Sequence, residues 1–502
     1  MNRDEDPLPG AGPPLPPADP IERLDGAAAG ALRERLATSG FGPLLVAEAE
    51  AIAPAQLDAV RLPLVHWWLE RRSGPGAALA RLFIYQAALA RAEAEDALGK
   101  ALVETLAGAG VLRAQGQTIA SAFRITPLDG LYVLSDPPDG GSAAAMGPGM
   151  TTLDLVRLVP AKAGAVLDLG CGAGTLALLA AARGASRAVG ADLNERAVAL
   201  ARFNARLNGL AAEFRAGDLL EPVRGERFDL VLCQPPYVVH PPGIAPTTYL
   251  HGGPRGDELA LRFAAALPAA LSERGRALLL FDTAPSSEPL QSRLRAVLGT
   301  APADLVVLLA PGPSADLQAV AYASLEDGTL GACYRDSARH YRDHLETLGG
   351  SAFSRALVVL ARSPVPGGRF TVQQPVGGLS RLDAAALDAF LAALELAGSD
   401  EAVLLRSAVR LAPGARLVEE RAAGKVLEAP LRSVRFEKGM LASDREISEA
   451  GLFLFEALEE GPGIEDAVAR FAEACGDAPE VVRRTVADFV REGLSRGLLV
   501  PR

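Results

Sequence analysis

Three stretches of this 502-residue chain combine residue types and spacings that could do chemistry. The first is Val166-Leu167-Asp168-Leu169-Gly170-Cys171-Gly172-Ala173-Gly174-Thr175, an apolar run that ends in a glycine turn and opens an Ala/Leu-rich helical pattern. Glycine has no Cβ, so the turn's backbone can approach a ligand closely, and the helix start beyond it offers free N–H groups. The spacing is G-x-G-x-G, not the dinucleotide G-x-G-x-x-G. Asp168 lies two residues before Gly170, where a carboxylate can meet an ammonium group. Asp192 ends the next apolar run and is followed by Leu193; its offset suits the two hydroxyls of a ribose. Asp218, followed by Leu219, ends a third run, where it can accept from a purine amino group. Each acid alone could equally cap the helix after it. At the ends of three successive parallel strands, they would instead line the crevice where ligands of such sheets sit.

The second stretch is Gln234-Pro235-Pro236-Tyr237, directly after the apolar run 228–233. Two prolines cannot donate to a strand ladder, so the strand must stop and present Gln234 at its rim. An amide there can pair with a planar N–H₂ group, carbonyls beyond it can take up protons, and the Tyr237 ring can stack. The third stretch, 240–258, is rich in Gly and Pro and carries His240, Tyr249 and His251 as candidate substrate contacts, either histidine being able to serve as a base. Asp257 is placed to cap the helix that follows.

Over residues 145–310 these features resemble the class I S-adenosylmethionine (SAM)-dependent methyltransferases. The resemblance implies SAM as cofactor, S-adenosyl-L-homocysteine as product, and a Rossmann-like seven-stranded sheet whose last hairpin is antiparallel. Asp168, Gly170, Cys171, Gly172, Gly174 and Thr175 would then hold the methionine part of SAM, Asp192 with Leu193 the ribose, and Asp218 with Leu219 the adenine end. Gln234 to Tyr237 is similar to the N-P-P-Y motif of methyltransferases acting on planar nitrogens, including the HemK-like glutamine enzymes, and would form the catalytic rim. The departure is Gln234 itself: one extra methylene carries the amide about 1.5 Å outward. That leaves the transferase class in place and withdraws the usual nitrogen acceptor.

The elements that must position these residues follow from periodicity. Strand patterns at 165–169, 188–191, 212–215, 229–233 and 276–281 alternate with helical patterns from 175, 195 and 258, which means βαβ units and a parallel sheet. Runs at 305–309 and 356–360 are candidate final strands, with a long insertion between them. Domain limits read as a Pro-rich disordered lead over 1–20, a helical, winged-helix-like domain over 21–140, the methyltransferase domain over 145–365, a connecting α/β extension over 366–435, and a helical unit over 436–502. The last unit carries helical patterns near 447–458, 464–475 and 479–492, and resembles PqqD-like peptide-binding modules. That resemblance implies a ribosomally made peptide as partner.

Composition narrows the partners. A net charge of −11 speaks against whole-surface gripping of nucleic acid, which needs a basic stripe, and acids along 93–104 would repel phosphate from the N-terminal domain. That domain is read as a dimer or substrate-positioning module, making a homodimer the expected assembly. The four cysteines are scattered and no metal site is expected. No apolar run reaches the roughly 20 residues of a membrane span, and the chain reads as cytoplasmic. The leading expectation is N-methylation of a peptide or other natural-product precursor. The alternatives are a nucleobase or protein-glutamine methyltransferase, and a SAM-binding scaffold without turnover.

Overall fold

The computed structural model describes residues 21, 24–52, 58–137, 141, 143–326, 332–349, 352–420 and 430–502. The Pro-rich lead over 1–20 and most of the linker around 138–142 lie outside the described residues. Two compact units emerge: residues up to Val307 with Gly312–Gln373, and Gln374–Arg502 with Leu308–Pro311.

The first unit is built on an eight-stranded sheet. Its strands are β1 (Ala165–Leu169), β2 (Arg187–Asp192), β3 (Glu213–Ala216), β4 (Phe228–Cys233), β5 (Leu271–Thr283), β6 (Ala303–Ser314), β7 (Ala352–Arg362) and β8 (Thr371–Pro375), lying in the order 3-2-1-4-5-7-6-8. β1 to β5 are mutually parallel where they pair, and β7 runs antiparallel to β5. This is the Rossmann-like methyltransferase arrangement with one strand more than expected. The additional edge strand, Thr-Val-Gln-Gln-Pro, is polar and ends in proline, which suits an edge and hides it from a search for apolar runs. The central strands are buried on both faces and read as continuous runs such as Leu230-Val231-Leu232.

Between the strands lie α1 (Met150–Arg157, ahead of β1), α2 (Thr175–Ala182), α3 (Glu195–Asn208), α4 (Glu258–Ala266), α5 (Leu290–Leu298), and the long insertion as two helices, α6 (Ala315–Glu326) and α7 (Ala332–Thr347). Asp257, expected to cap α4, makes no side-chain bond to that helix. Its carboxylate instead accepts from Thr283 (2.8 Å) and Arg293 (2.9 Å) and is fully buried. A charged neighbour at hand outbids a backbone N–H for a buried carboxylate.

Among the described residues, the N-terminal part has six helices from Gly26 to Gly108 and two hairpins, Leu112–Gln115 with Thr118–Ser121 and Arg124–Leu128 with Leu131–Ser135. It does not stand apart from the sheet. Its apolar core, with Leu32, Phe83 and Leu106, continues into Leu200, Phe203 and Leu207 of α3. Two asparagines on α3 make the junction specific. Asn204 accepts from Leu134 N (2.9 Å) and donates to Leu134 O (2.8 Å) and Ala173 O (2.9 Å). One turn on, Asn208 accepts from Tyr132 N (2.9 Å) and donates to Tyr132 O (2.8 Å). Side-chain amides thus serve the open edge of strand Leu131–Ser135 as a neighbouring strand would.

The second unit packs α8 (Ala384–Ala397), α9 (Glu449–Glu460), α10 (Ile464–Cys475) and α11 (Pro479–Ser495) around Leu404, Phe455, Leu458 and Val486. Ser448 caps α9 by accepting from Gly451 N (3.1 Å). The expected extension over 366–435 and helical unit over 436–502 come together here, because the final strand Leu499–Pro501 finds its ladder partner in Val409–Leu411. A three-stranded antiparallel sheet, Arg416–Glu420, Leu431–Arg435 and Arg445–Glu446, completes the unit. Among the described residues, no helix is long and apolar enough to cross a membrane.

Replacing Asn204 by alanine leaves three buried backbone groups without partners. The expected cost is about 3 kcal/mol in urea unfolding, on the scale of buried unsatisfied groups, against under about 1 kcal/mol for an exposed control such as Arg224→Ala.

Candidate active site

The sheet order reverses between β1 and β4, and the two strands pair with Leu169 opposite Cys233. The glycine turn after Leu169 and the Gln-Pro-Pro segment after Cys233 therefore leave the sheet side by side. The turn is fixed from β2, since Gly170 N and Cys171 N both donate to Ala191 O (2.8 and 3.1 Å). All three glycines have positive φ: 75° at Gly170, 51° at Gly172 and 86° at Gly174. At Gly172 a Cβ would also stand 2.9 Å from Met146 O, so this position excludes side chains twice over.

Above the turn is a cavity of about 250 Å³. Asp168, Gly170, Cys171, Gly172, Thr175, Asp192, Leu193, Asp218, Leu219, Gln234, Pro236 and Tyr249 line it. Gly174 lies behind the lining, its α-carbon facing Phe214 and Ala201. Pro235 and Tyr237 are not among the lining residues, and neither are His240 and His251.

The three acids take up different roles. Asp192 accepts from Gly172 N through Oδ2 and from Asn194 N through Oδ1, both at 2.8 Å, which aims the carboxylate into the cavity with lone pairs to spare. Burial holds its pKa above the usual carboxylate value. Asp168 is 2% exposed and accepts from Ala177 N (3.1 Å) and Leu176 N, so it sits at the start of α2. Burial raises its pKa to about 7, with the Asp192 charge adding to the effect. Asp218 is half exposed and forms an ion pair with Arg262 of α4, another lining residue. Leu193, 62% exposed, and Leu219, held at φ 48°, are apolar surfaces at the mouth. A leucine kept in the left-handed region marks a backbone constrained by its surroundings.

One wall is formed by the segment before α1, Ala144 to Gly147. Asp136, buried and paired with Arg196 (2.5 and 2.7 Å), accepts from Ala145 N (2.8 Å), and Met146 O accepts from Ala173 N (3.1 Å). At the far end, Gln234 points to α1: its Nε2 donates to Thr151 (2.5 Å), and Thr152 donates to its Oε1 (2.9 Å). Tyr237 turns away from the cavity and hydrogen-bonds to Thr151 near Asp282 and Arg355; burial and the Asp282 charge raise its pKa. Sequence reasoning passed over Thr151, Thr152, Met146 and Arg262. A Gly-Met-Thr-Thr start to the helix before β1 was the available signal, in its capping residues.

The histidines serve the loop. His251 Nδ1 accepts from Thr247 N (2.9 Å) and its Nε2 meets Tyr341 Oη (2.9 Å) on the inserted helix α7. Burial, helped by His240 at 4.6 Å between ring centroids, lowers its pKa to about 4. His240 Nε2 donates to Ile244 O (2.8 Å). Cys171 and Cys233 are buried, and burial pushes both thiols well up, so neither is a nucleophile here.

Residues 144–244 match the family described as methyltransferase small domain. This part of the chain is a methyltransferase domain. It is 38% identical over 125 residues to a Methanocaldococcus jannaschii protein provisionally named protein N5-glutamine methyltransferase, covering 24% of this chain and 63% of that protein. It is 38% identical over 130 residues to the release factor glutamine methyltransferase of Deinococcus radiodurans (23% and 45% covered). With the ribosomal protein L11 methyltransferase of Dechloromonas aromatica it shares 41% over 98 residues (19% and 32%). The chain thus spans less than two thirds of the length of each of these relatives.

The methyltransferase domain carries a pH signature. Asp168 has a folded pKa near 7 against an ordinary 3.8, so its contribution to stability is full below 3.8 and lost as pH rises through 7. The ligand-free protein should lose stability from pH 4 to 7 more steeply than Asp168→Asn, read as urea midpoints; equal slopes would refute the assignment.

Proposed function

We propose that this chain transfers a methyl group from SAM to a side chain of a protein or peptide. The observation that carries the reading is the single cavity that runs from the glycine turn and Asp192 to Gln234 and Pro236. The donor set fits the cofactor. Left-handed glycines let the turn's backbone approach the methionine part closely, the Asp192 carboxylate suits ribose hydroxyls, and Leu193 and Leu219 offer apolar faces to a purine. Asp218 with Arg262 supplies polar groups at the rim.

When bound, SAM would supply a methyl carbon on a sulfonium, open to attack by an acceptor lone pair, with the C–S bond breaking and S-adenosyl-L-homocysteine leaving as a neutral thioether. The chain's part is to bind, align and exclude water. The apolar wall of Ala144 and Met146, with Leu176 and Phe263, keeps the reacting region poor in water. Pro236 and Tyr249 border the side from which an acceptor would come. A neutral nucleophile must still release a proton after the transfer, and displacement itself needs alignment more than a dedicated base. His251 is already engaged at both ring nitrogens, which leaves it in a structural role.

The relatives' names favour protein acceptors, and the second unit is the candidate for recognising the acceptor's peptide chain. A peptide precursor is the finer form of this reading, and a nucleobase the weaker alternative given the net charge of −11.

Calorimetry should show SAM binding, weakened about tenfold or more by Asp192→Ala, the scale of losing at least one charge-assisted hydrogen bond. Incubation with trideuteromethyl-SAM and a cell-derived peptide and protein pool should add 17 Da, read by mass spectrometry, to a discrete acceptor. Failure of the wild-type protein to bind SAM would overturn the proposal, as would labelled nucleic acid with no labelled protein or peptide.

A further inference from the structure

Gln234 stands where the resembled N-P-P-Y motif presents a polar group to its acceptor, yet both ends of its amide face helix α1. Thr151 and Thr152 are themselves buried, at 4% and 8% exposure, so these are interior bonds. Their hydrogens can be followed. Thr152 Oγ1 accepts from Gly149 N (3.2 Å) at the start of α1 and gives its hydrogen to Gln234 Oε1. Thr151 Oγ1 accepts from Gln234 Nε2 and is also hydrogen-bonded to the Tyr237 phenol. The amide thus turns its oxygen to Thr152 and its nitrogen to Thr151.

The helix so held continues the cavity wall. Ala144 to Gly147 run directly into α1, and Thr152 itself lines the cavity. The wall's first half is fastened through Ala145 to Asp136 and through Met146 to Ala173. Its second half is fastened to the rim of β4 by Gln234. An asparagine at 234 would fall short by about 1.5 Å, one carbon–carbon bond, and could not keep both threonine bonds with the same backbone.

We propose that Gln234 is a positioning residue that latches α1 and the 144–149 wall over the cofactor cavity. This rests on the SAM-dependent reading above. It follows that the acceptor is not selected by pairing its N–H₂ group with the residue-234 amide as that group's main partner. Selection passes to the surfaces around Pro236 and Tyr249, and a nucleophile without a planar amide fits this rim as well as one with it.

Two measurements test the latch. In the ligand-free protein, Gln234→Asn should raise amide hydrogen exchange across 150–157 at least tenfold while global unfolding changes little. The same variant should weaken SAM binding about fivefold to tenfold in calorimetry. Thr152→Val, which keeps shape and loses the hydroxyl, should reproduce both effects, and Thr152→Ser should restore them to near wild type. The double variant Gln234→Asn with Thr152→Val should be no worse than either single, since one interaction is removed twice. Exchange and SAM affinity within twofold of wild type in Gln234→Asn, or additive losses in the double variant, would overturn the latch. Should wild type fail to bind SAM, the functional reading falls, and the exchange experiment still decides whether Gln234 holds α1.

Discussion

The pairing of β1 with β4 is the contact on which the rest of the site depends. Chain order runs outward through β1, β2 and β3, then returns to lay β4 and β5 on the other flank. Connections therefore leave β1 and β4 in divergent directions, and a crevice opens at their carboxyl ends. The register of Leu169 with Cys233 sets the glycine turn beside the proline pair. A slip by one residue would reverse every side chain of β4 and replace Gln234 at the rim.

Around that contact, polar side chains stand in for missing secondary structure. Asn204 and Asn208 complete the ladder of strand Leu131–Ser135, and Asn204 also steadies Ala173 in the glycine turn. The helical N-terminal part is thus tied to the cofactor site by three buried hydrogen bonds at one asparagine. The same economy appears in Asp192, which braces the turn at Gly172 and caps nothing, and in Asp168, which braces α2. Loops that must approach a ligand carry few contacts of their own, so neighbouring elements supply the rigidity.

Local signals in the sequence were enough for seven of the sheet's eight strands and for the turn. Strand patterns at 165–169 and 229–233, and glycines at 170, 172 and 174, express constraints that act within a few residues. Non-local choices were less legible. Asp168 before a glycine turn is equally able to meet an ammonium or a helix start, and only the position of Ala177 N shows the second bond. Gln234 was legible as a departure, but its partners lie over 80 residues away, at Thr151 and Thr152. The merging of the N-terminal helices with α3 likewise depends on Leu200, Phe203 and Leu207, which fit the interior pattern of α3 whichever neighbour they meet. Helix α7 was visible only as excess length between two strands, although it supplies the Tyr341 that holds His251.

The placement of the four cysteines has a practical side. Cys171 and Cys233 are buried beneath the turn, whereas Cys333 on α7 and Cys475 on α10 are exposed. Maleimide dyes should therefore attach at one point in each of the two units and leave the interior thiols untouched. The native sequence comes ready for a donor–acceptor fluorophore pair, and single-molecule energy transfer between Cys333 and Cys475 can follow the units during turnover without an engineered residue.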